Sequence, residues 1–249
     1  MVVTNDEEPA VRLRAVRKVY GTGQAAVNAL DGVSVDFPKG SFTAVMGPSG
    51  SGKSTLLQCA AGLERPTDGD VLLGGVRLGD LSETALTLLR RDHVGFVFQS
   101  FNLLPFLDAE LNVALPLLLA GRRPSRKVTA GVLAAVGLAD RARHRPGEMS
   151  GGQQQRVAVA RALVTGPQVL FADEPTGNLD SGAGRAVLGL LRSMVDERRQ
   201  TIVMVTHDPL AASFAGRVVF LRDGRLAGEL AAPTPRVVAE RMTGLETAS

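Results

Sequence analysis

Nine consecutive residues, Gly47-Pro48-Ser49-Gly50-Ser51-Gly52-Lys53-Ser54-Thr55, constrain the fold of this chain more than any other stretch. They follow a continuous run from Phe42 to Met46, the pattern of a strand buried on both faces, and they open a helical pattern from Thr55 to Gly62. The glycines let the backbone curl so that successive N–H groups point at one centre, and the following helix adds the positive end of its dipole. A strand, a glycine-rich loop and a helix in that order make a P-loop, a cradle for phosphate. Lys53 supplies a mobile cation for β and γ phosphates, and the Ser54 hydroxyl is a ligand for Mg²⁺. A plain glycine-rich turn is the competing reading, and the strand and helix on either side argue against it.

A phosphate site of this kind needs a carboxylate on a neighbouring strand. The run Val169-Leu170-Phe171-Ala172 ends in Asp173-Glu174. That places Asp173 to hold Mg²⁺ and Glu174 to accept a proton from a water attacking the γ phosphate. Thr201 to Val205 is another buried strand and ends in Thr206-His207, at the sheet edge where ligands of open α/β folds sit, so His207 can contact the γ phosphate. A histidine ahead of a helix cap also has a structural reading, the only one that His93 and His144 receive, and Asp208 reads as the cap itself. Gln99 closes the strand pattern Val94 to Phe98 and can reach both metal and attacking water, although one glutamine is little to go on. Tyr20, the only tyrosine, lies in a turn ahead of the loop, where it can stack on a purine or simply pack.

The fold class these patterns predict is α/β: a P-loop NTPase core with a mixed, mainly parallel sheet, an N-terminal antiparallel β subdomain and an inserted helical subdomain. Val11 to Met46 reads as short alternating strands punctuated by turns. Two hairpins are expected to join that antiparallel layer at its edges, Val71 to Leu78 about Gly74-Gly75 and Val218 to Leu230 about Asp223-Gly224. Phe42 to Met46, Gln168 to Ala172 and Thr201 to Val205 read as the buried parallel strands. Helix starts are signalled by Asp80 with Glu83 as a capping box, by Ser181, and by Asp208 with Pro209. Between Gln99 and Ser150 the strand signal fades, and Leu111 to Leu119 and Val128 to Val136 read as helices around the loop Gly121 to Ser125. The expected divisions are a flexible tail at 1–10, a nucleotide-binding domain at 11–230 with its helical subdomain at about 100–160, and a short tail at 231–249 ending in an amphipathic stretch.

The segment Met149-Ser150-Gly151-Gly152-Gln153-Gln154-Gln155-Arg156 stands ahead of a helix pattern, Val157 to Val164, and reads as a second anion-binding helix N-terminus. Followed downstream by Asp173-Glu174, it resembles the signature of ABC-type ATPases. The resemblance runs from Tyr20 to about Leu230, with each element present once and in the family's order. It implies that Tyr20 is the adenine-stacking aromatic, Gln99 the Q-loop and a metal ligand, Gly177-Asn178-Leu179-Asp180 the D-loop and His207 the switch histidine, with ATP and Mg²⁺ as cofactors. In that family two subunits sandwich two ATP molecules head to tail. Ser150, Gly151, Gly152, Gln153 and Asp180 would then serve the partner's nucleotide, and the functional unit would be a homodimer.

More narrowly, Glu174-Pro175-Thr176-Gly177-Asn178-Leu179-Asp180, Gln153-Gln154-Gln155-Arg156 and Phe101-Asn102-Leu103-Leu104-Pro105 are similar to the ATPases of macrolide exporters and lipoprotein-release systems, with cell-division ATPases sharing part of the wording. This implies an integral membrane permease as partner, driven by mechanical transmission. Two departures stand out: Met149 replaces the leucine that usually opens the signature, and Asp108-Ala109-Glu110-Leu111-Asn112 reorders a usual glutamate-asparagine pair. The second lies in the helical insert expected to meet the permease, so it bears on the partner rather than on hydrolysis.

Composition narrows the other function classes. At 249 residues and 45% hydrophobic, the chain has material for a sizeable core. Cys59 is its only cysteine, so neither an internal disulfide nor a multi-cysteine zinc site is expected. The formal charge is only +3 and its cations are spread along the chain, which gives no case for nucleic acid. Arg122, Arg123, Arg126 and Lys127 form one local patch that reads as a solvated loop. No apolar run reaches the roughly 18–20 residues that span a bilayer, Leu111 to Ala120 being short and interrupted by Pro116. Asp6, Glu7 and Glu8 stand where a secretory signal would be basic, so the expected location is the cytoplasmic face of the membrane.

No Asn-Lys-x-Asp or Thr-Lys-x-Asp guanine-reading motif favours a GTPase, and no coiled coil, zinc cysteines or second ATP-binding domain favours a DNA-repair or ribosome-acting relative. The expectation is an ATPase subunit that couples dimer closure to a permease for export or release of a hydrophobic, peptide or lipid-type substrate. The alternatives are an ATPase of a cell-division or cell-wall regulatory complex and a soluble P-loop ATPase or kinase.

Overall fold

The computed structural model describes residues 8–247 and, among them, divides the strands between two sheets. The strands are β1 (Val11–Tyr20), β2 (Val27–Phe37), β3 (Phe42–Met46), β4 (Asp68–Leu73), β5 (Val76–Arg77), β6 (Val94–Phe98), β7 (Val169–Asp173), β8 (Thr201–Val205), β9 (Arg217–Arg222) and β10 (Arg225–Ala231). One sheet is antiparallel in the order β2-β1-β4-β5; the other runs β10-β9-β3-β8-β7-β6 and is parallel except for its β9–β10 hairpin. The helices are α1 (Lys53–Ala60), α2 (Glu83–His93), α3 (Ala109–Leu119), α4 (Arg126–Ala135), α5 (Gly151–Leu163), α6 (Ser181–Arg198), α7 (Pro209–Ala212) and α8 (Pro235–Thr247). None is long and apolar enough to cross a membrane among the described residues.

The continuous apolar strands are explained by two cores, one on each face of the parallel sheet. Side chains alternate across a strand. Phe42, Ala44 and Met46 of β3 therefore enter one core with Leu170, Ala172, Ile202 and Met204, while Val45 enters the other with Val169, Phe171, Val203 and Val205. The first core is closed by α3, α5 and α6, the second by α1, α2 and the antiparallel sheet. Both faces being covered, these strands are almost wholly apolar, with Thr43 and Thr201 their buried polar exceptions. This packing fixes the carboxyl ends of β3, β6, β7 and β8 side by side, and every sequence-predicted catalytic residue follows one of them.

Two local expectations give way, and a third segment gains definition. The Asp223-Gly224 hairpin joins the parallel sheet through β9 and β3, not the antiparallel layer, because Val218 and Val219 are apolar on both faces and fit only a covered sheet. Asp80 does not cap α2: Ser82 does, its Oγ accepting from Ala85 N–H at 3.2 Å. The stretch after Ala231 forms α8, with Val238 fully buried and Met242 and Leu245 packed on the first core. The expected N-terminal tail lies, through residue 7, outside the described residues.

In the helical insert, Asp108 caps α3 through Leu111 N–H, and Ser125 caps α4 through Val128 N–H. Asn112 is fully buried and joins α3 to the segment before it. Its Oδ1 accepts from Leu104 N–H at 2.8 Å, and its Nδ2 donates to the carbonyls of Leu104, Leu107 and Asp108 at 3.0–3.1 Å. Asn112→Ala strands these groups away from water and is expected to cost about 2–4 kcal/mol. Denaturant unfolding measures that loss, and hydrogen exchange at Leu104 N–H, fast in the variant and protected in the parent, locates it.

Candidate active site

The loop between β3 and α1 is built for close approach. A Cβ on Gly47 would lie 2.0 Å from the Leu221 carbonyl oxygen, and one on Gly52 would lie 2.1 Å from that of Ala29. Gly52 also has φ +95°, which L side chains rarely adopt. The loop therefore presses against β9 on one side and β2 on the other. Lys53 folds back over it, Nζ donating to the carbonyls of Gly47 at 2.9 Å and Pro48 at 2.7 Å. Ser51 Oγ is buried without a hydrogen-bond partner. That orphaned hydroxyl and the lysine, set at the start of α1, suit a phosphate-bearing nucleotide.

Beside the loop, β7 delivers the two carboxylates. Burial and the neighbouring Glu174 charge hold the Asp173 carboxyl above the usual range, against the opposing pull of Lys53 and Ser54. Burial also lowers the Lys53 ammonium, while Glu174 and Asp173 hold it up. Glu174 takes a left-handed backbone, φ +47°, uncommon for a non-glycine residue and found most often where function demands it. Its N–H donates to Val205 O at 3.0 Å, which turns it off the strand, and its Oε1 lies 2.8 Å from His207 Nδ1. Lys53, Ser54, Asp173, Glu174 and His207 thus meet at one sheet edge. Among the described residues no group of three His, Cys, Asp or Glu side chains could hold a metal. A cation here would rest on Ser54 and Asp173 together with phosphate oxygens, a hard, oxygen-rich set that fits Mg²⁺.

Gln99 follows β6 and is turned toward the segment after Glu174. Its Nε2 donates to Asn178 Oδ1 at 3.2 Å, and Asn178 Nδ2 returns a bond to Gln99 O at 3.2 Å. Ser150 and Gln153 engage each other in a capping box at the start of α5, Ser150 Oγ accepting from Gln153 N–H and Gln153 Oε1 from Ser150 N–H. The helix thus begins at Gly151 rather than near Val157, and the serine, glycines and glutamine are its first turn. Gly152 lets that turn approach α6, since a Cβ there would meet Ala183 Cβ at 2.8 Å. Asp180 caps α6, its Oδ1 accepting from the N–H groups of Gly182 and Ala183 at 2.9 Å each. No described hydrogen bond joins Ser150, Gln153 or Asp180 to Lys53 or Glu174.

Comparison with known proteins turns these observations into a family assignment. Residues 30–177 match the ABC transporter family. The chain belongs to that family. It is 44% identical over 225 residues to an uncharacterized ABC transporter ATP-binding protein of Methanocaldococcus jannaschii, MJ0796, covering 88% of this chain and 96% of that one. It is 44% identical over 221 residues to the lipoprotein-releasing system ATP-binding protein LolD 1 of Rhodospirillum rubrum, covering 88% and 98%. The macrolide export ATP-binding/permease protein MacB of Hyphomonas neptunium is 46% identical over 223 residues, but the chain spans only 34% of its length. The dimeric, post-hydrolysis structure of the MJ0796 cassette bound to ADP and Pi superposes with a TM-score of 0.81 at 42% identity, over 90% of this chain and 99% of that one.

This ABC transporter ATP-binding subunit binds and hydrolyses ATP. Tyr20 ends β1 with its hydroxyl donating to Glu64 Oε2, and Lys18 Nζ lies 5.0 Å from its ring centroid. Lys18 and Glu64 are themselves paired at 3.3 Å, so the ring is held by a small network that sequence reasoning missed. It also missed Gln155, a buried polar residue of α5, and Arg161, which is only partly buried. For Gln155 the signal was helix phase: counted from the Ser150 cap, Gly152, Gln155, Val159 and Ala162 fall on one face, and all are buried.

Proposed function

We propose that this ABC ATPase works as a Mg-ATP-driven homodimer on an integral membrane permease, for export or release of a hydrophobic, peptide or lipid-type substrate. The observation that carries the catalytic part is the convergence of Lys53, Ser54, Asp173, Glu174 and His207 at one sheet edge. In this reading the loop Gly47–Thr55 holds the phosphates, and Ser54, Asp173 and Gln99 hold Mg²⁺, which when bound withdraws charge from the β and γ phosphate oxygens. Glu174 takes the proton of the attacking water, and His207, hydrogen-bonded to it, orients its carboxylate and reaches the γ phosphate. Tyr20 stacks on adenine. The amides at the start of α5, with Ser150, Gly151, Gly152, Gln153 and Asp180, serve the nucleotide of the second subunit; the dimeric MJ0796 cassettes support this arrangement.

Support for a permease comes from the names of the MacB and LolD relatives and from the helical insert, where Phe106, Leu111, Leu118 and Leu119 are all exposed, Phe106 and Leu119 to 68% and 80%. Large apolar side chains left in water within one insert fit a surface that meets a partner. The test is to tag Glu174→Gln, solubilise source membranes in detergent with Mg-ATP, and identify what co-purifies. A multi-span permease is expected, and its recovery should fall when Leu119 is also changed to Glu. Recovery of soluble partners only, with an ATP-dependent dimer intact, would leave the ATPase standing and overturn the transporter reading.

A further inference from the structure

The ladder between β6 and β7 ends at the pair Phe98↔Asp173. Immediately beyond it lie Gln99 on one strand and Glu174 on the other, and both chains leave the sheet. Glu174 does so through its left-handed backbone, and Pro175 follows it with no N–H to donate. The carbonyl of Pro175 is therefore the one backbone hydrogen-bonding group by which that residue can be tied.

A single side chain ties it. Gln155 is fully buried, and its Nε2 donates to Pro175 O at 2.6 Å and to Phe98 O at 3.2 Å. The two protons of one amide thus staple the strands where their own ladder stops, next to Gln99 and Glu174. The staple is rigidly mounted. A Cβ on Gly95 would lie 2.5 Å from Ala162 O, so α5 lies hard against β6. Further along α5, Arg161 donates to the carbonyls of Phe101 at 2.8 Å and of Asn102, the two residues after the Q-loop with φ +59° and +51°.

We infer that Gln155 is a positioning residue for hydrolysis: from the helix that begins with Ser150, its carboxamide fixes the backbone that aims Glu174 and Gln99. The inference rests on the reading of Glu174 as the general base. It also gives α5 a second task, since the helix whose first turn serves one nucleotide sets the carboxylate that acts on the other.

Gln155→Met keeps length and approximate volume while removing both donors. Its ATPase kcat is expected to fall about 10–100-fold, the scale of an ångström of misplacement at a reacting group, with ATP affinity unchanged. A double-mutant cycle with Glu174→Gln supplies the readout a merely structural role would not move. If Gln155 acts through Glu174, adding Gln155→Met to Glu174→Gln costs less than about threefold more, because the positioned group is already gone. Unchanged kcat in Gln155→Met, or an equal loss in both backgrounds, overturns the inference. Full turnover by Glu174→Gln alone overturns the assignment of Glu174 and the inference with it. Should Gln155→Met fail to fold, Gln155→Asn keeps an amide in the polar gap but is one methylene short of its two acceptors; the same cycle applies, and wild-type turnover there is equally fatal.

Discussion

Glu174→Gln is expected to bind ATP as tightly as the parent chain and to hydrolyse it about 10²–10⁴-fold more slowly, the span associated with loss of a general base. The substitution is nearly isosteric. An amide can keep a hydrogen bond to His207 Nδ1, now 2.8 Å from the carboxylate, and the tie from residue 174 N–H to Val205 O is untouched. Only the capacity to take a proton disappears. The neighbouring Asp173 loses a like charge at the same time, which relieves one of the two causes that raise its carboxyl. Binding should therefore not suffer. Phosphate release under saturating Mg-ATP measures the rate, and nucleotide titration measures the affinity. Size-exclusion chromatography with ATP adds a third reading, since a chain that binds but cannot hydrolyse should accumulate as a dimer. Wild-type turnover would remove Glu174 from the role proposed for it.

The parts of this site that were legible in the sequence are those whose chemistry and backbone requirement coincide. Gly47 and Gly52 sit where a Cβ cannot, Lys53 follows them, and Phe42, Ala44, Val45 and Met46 are apolar because two cores demand it. Each of these constraints is local, so a string of residues can carry it. The Asp223-Gly224 turn was equally visible, but a turn does not say which sheet receives its strands; pairing of β9 with β3 is decided about 170 residues away in sequence. Asp80 read as the cap from its spacing to Glu83, and only the observed start of α2 shows that Ser82 takes that place. Gln155 was hidden for a different reason. It is the third of three consecutive glutamines, alike in chemistry, and only the phase of α5 and the positions of Phe98 and Pro175 distinguish the buried one. Asn112 belongs to the same class: its acceptors and donor are backbone groups, which no residue type announces.

Lys53→Ala is expected to act on the other half of the cycle, weakening ATP binding by about 10–100-fold or more, since a charge-assisted hydrogen bond contributes about 1.5–3 kcal/mol and each 1.4 kcal/mol is a factor of ten. Three consequences reinforce one another. The cation facing the phosphates is gone; the carbonyls of Gly47 and Pro48, which now accept from Nζ, lose their partner; and Asp173 and Glu174 lose the positive charge that offsets theirs. The last effect opposes an incoming polyanion directly. Half-burial lowers the lysine's own pKa, but the two carboxylates counter this, which fits a side chain kept charged and close to the site. Titration with ATP in the presence of Mg²⁺ measures the loss, and Lys53→Ala should also fail to form the ATP-dependent dimer that Glu174→Gln accumulates. The two variants are expected to fail for opposite reasons, one empty and one full. A Lys53→Ala chain with unchanged ATP affinity would break that contrast and count against the loop as the seat of the phosphates, whatever happened to the rate.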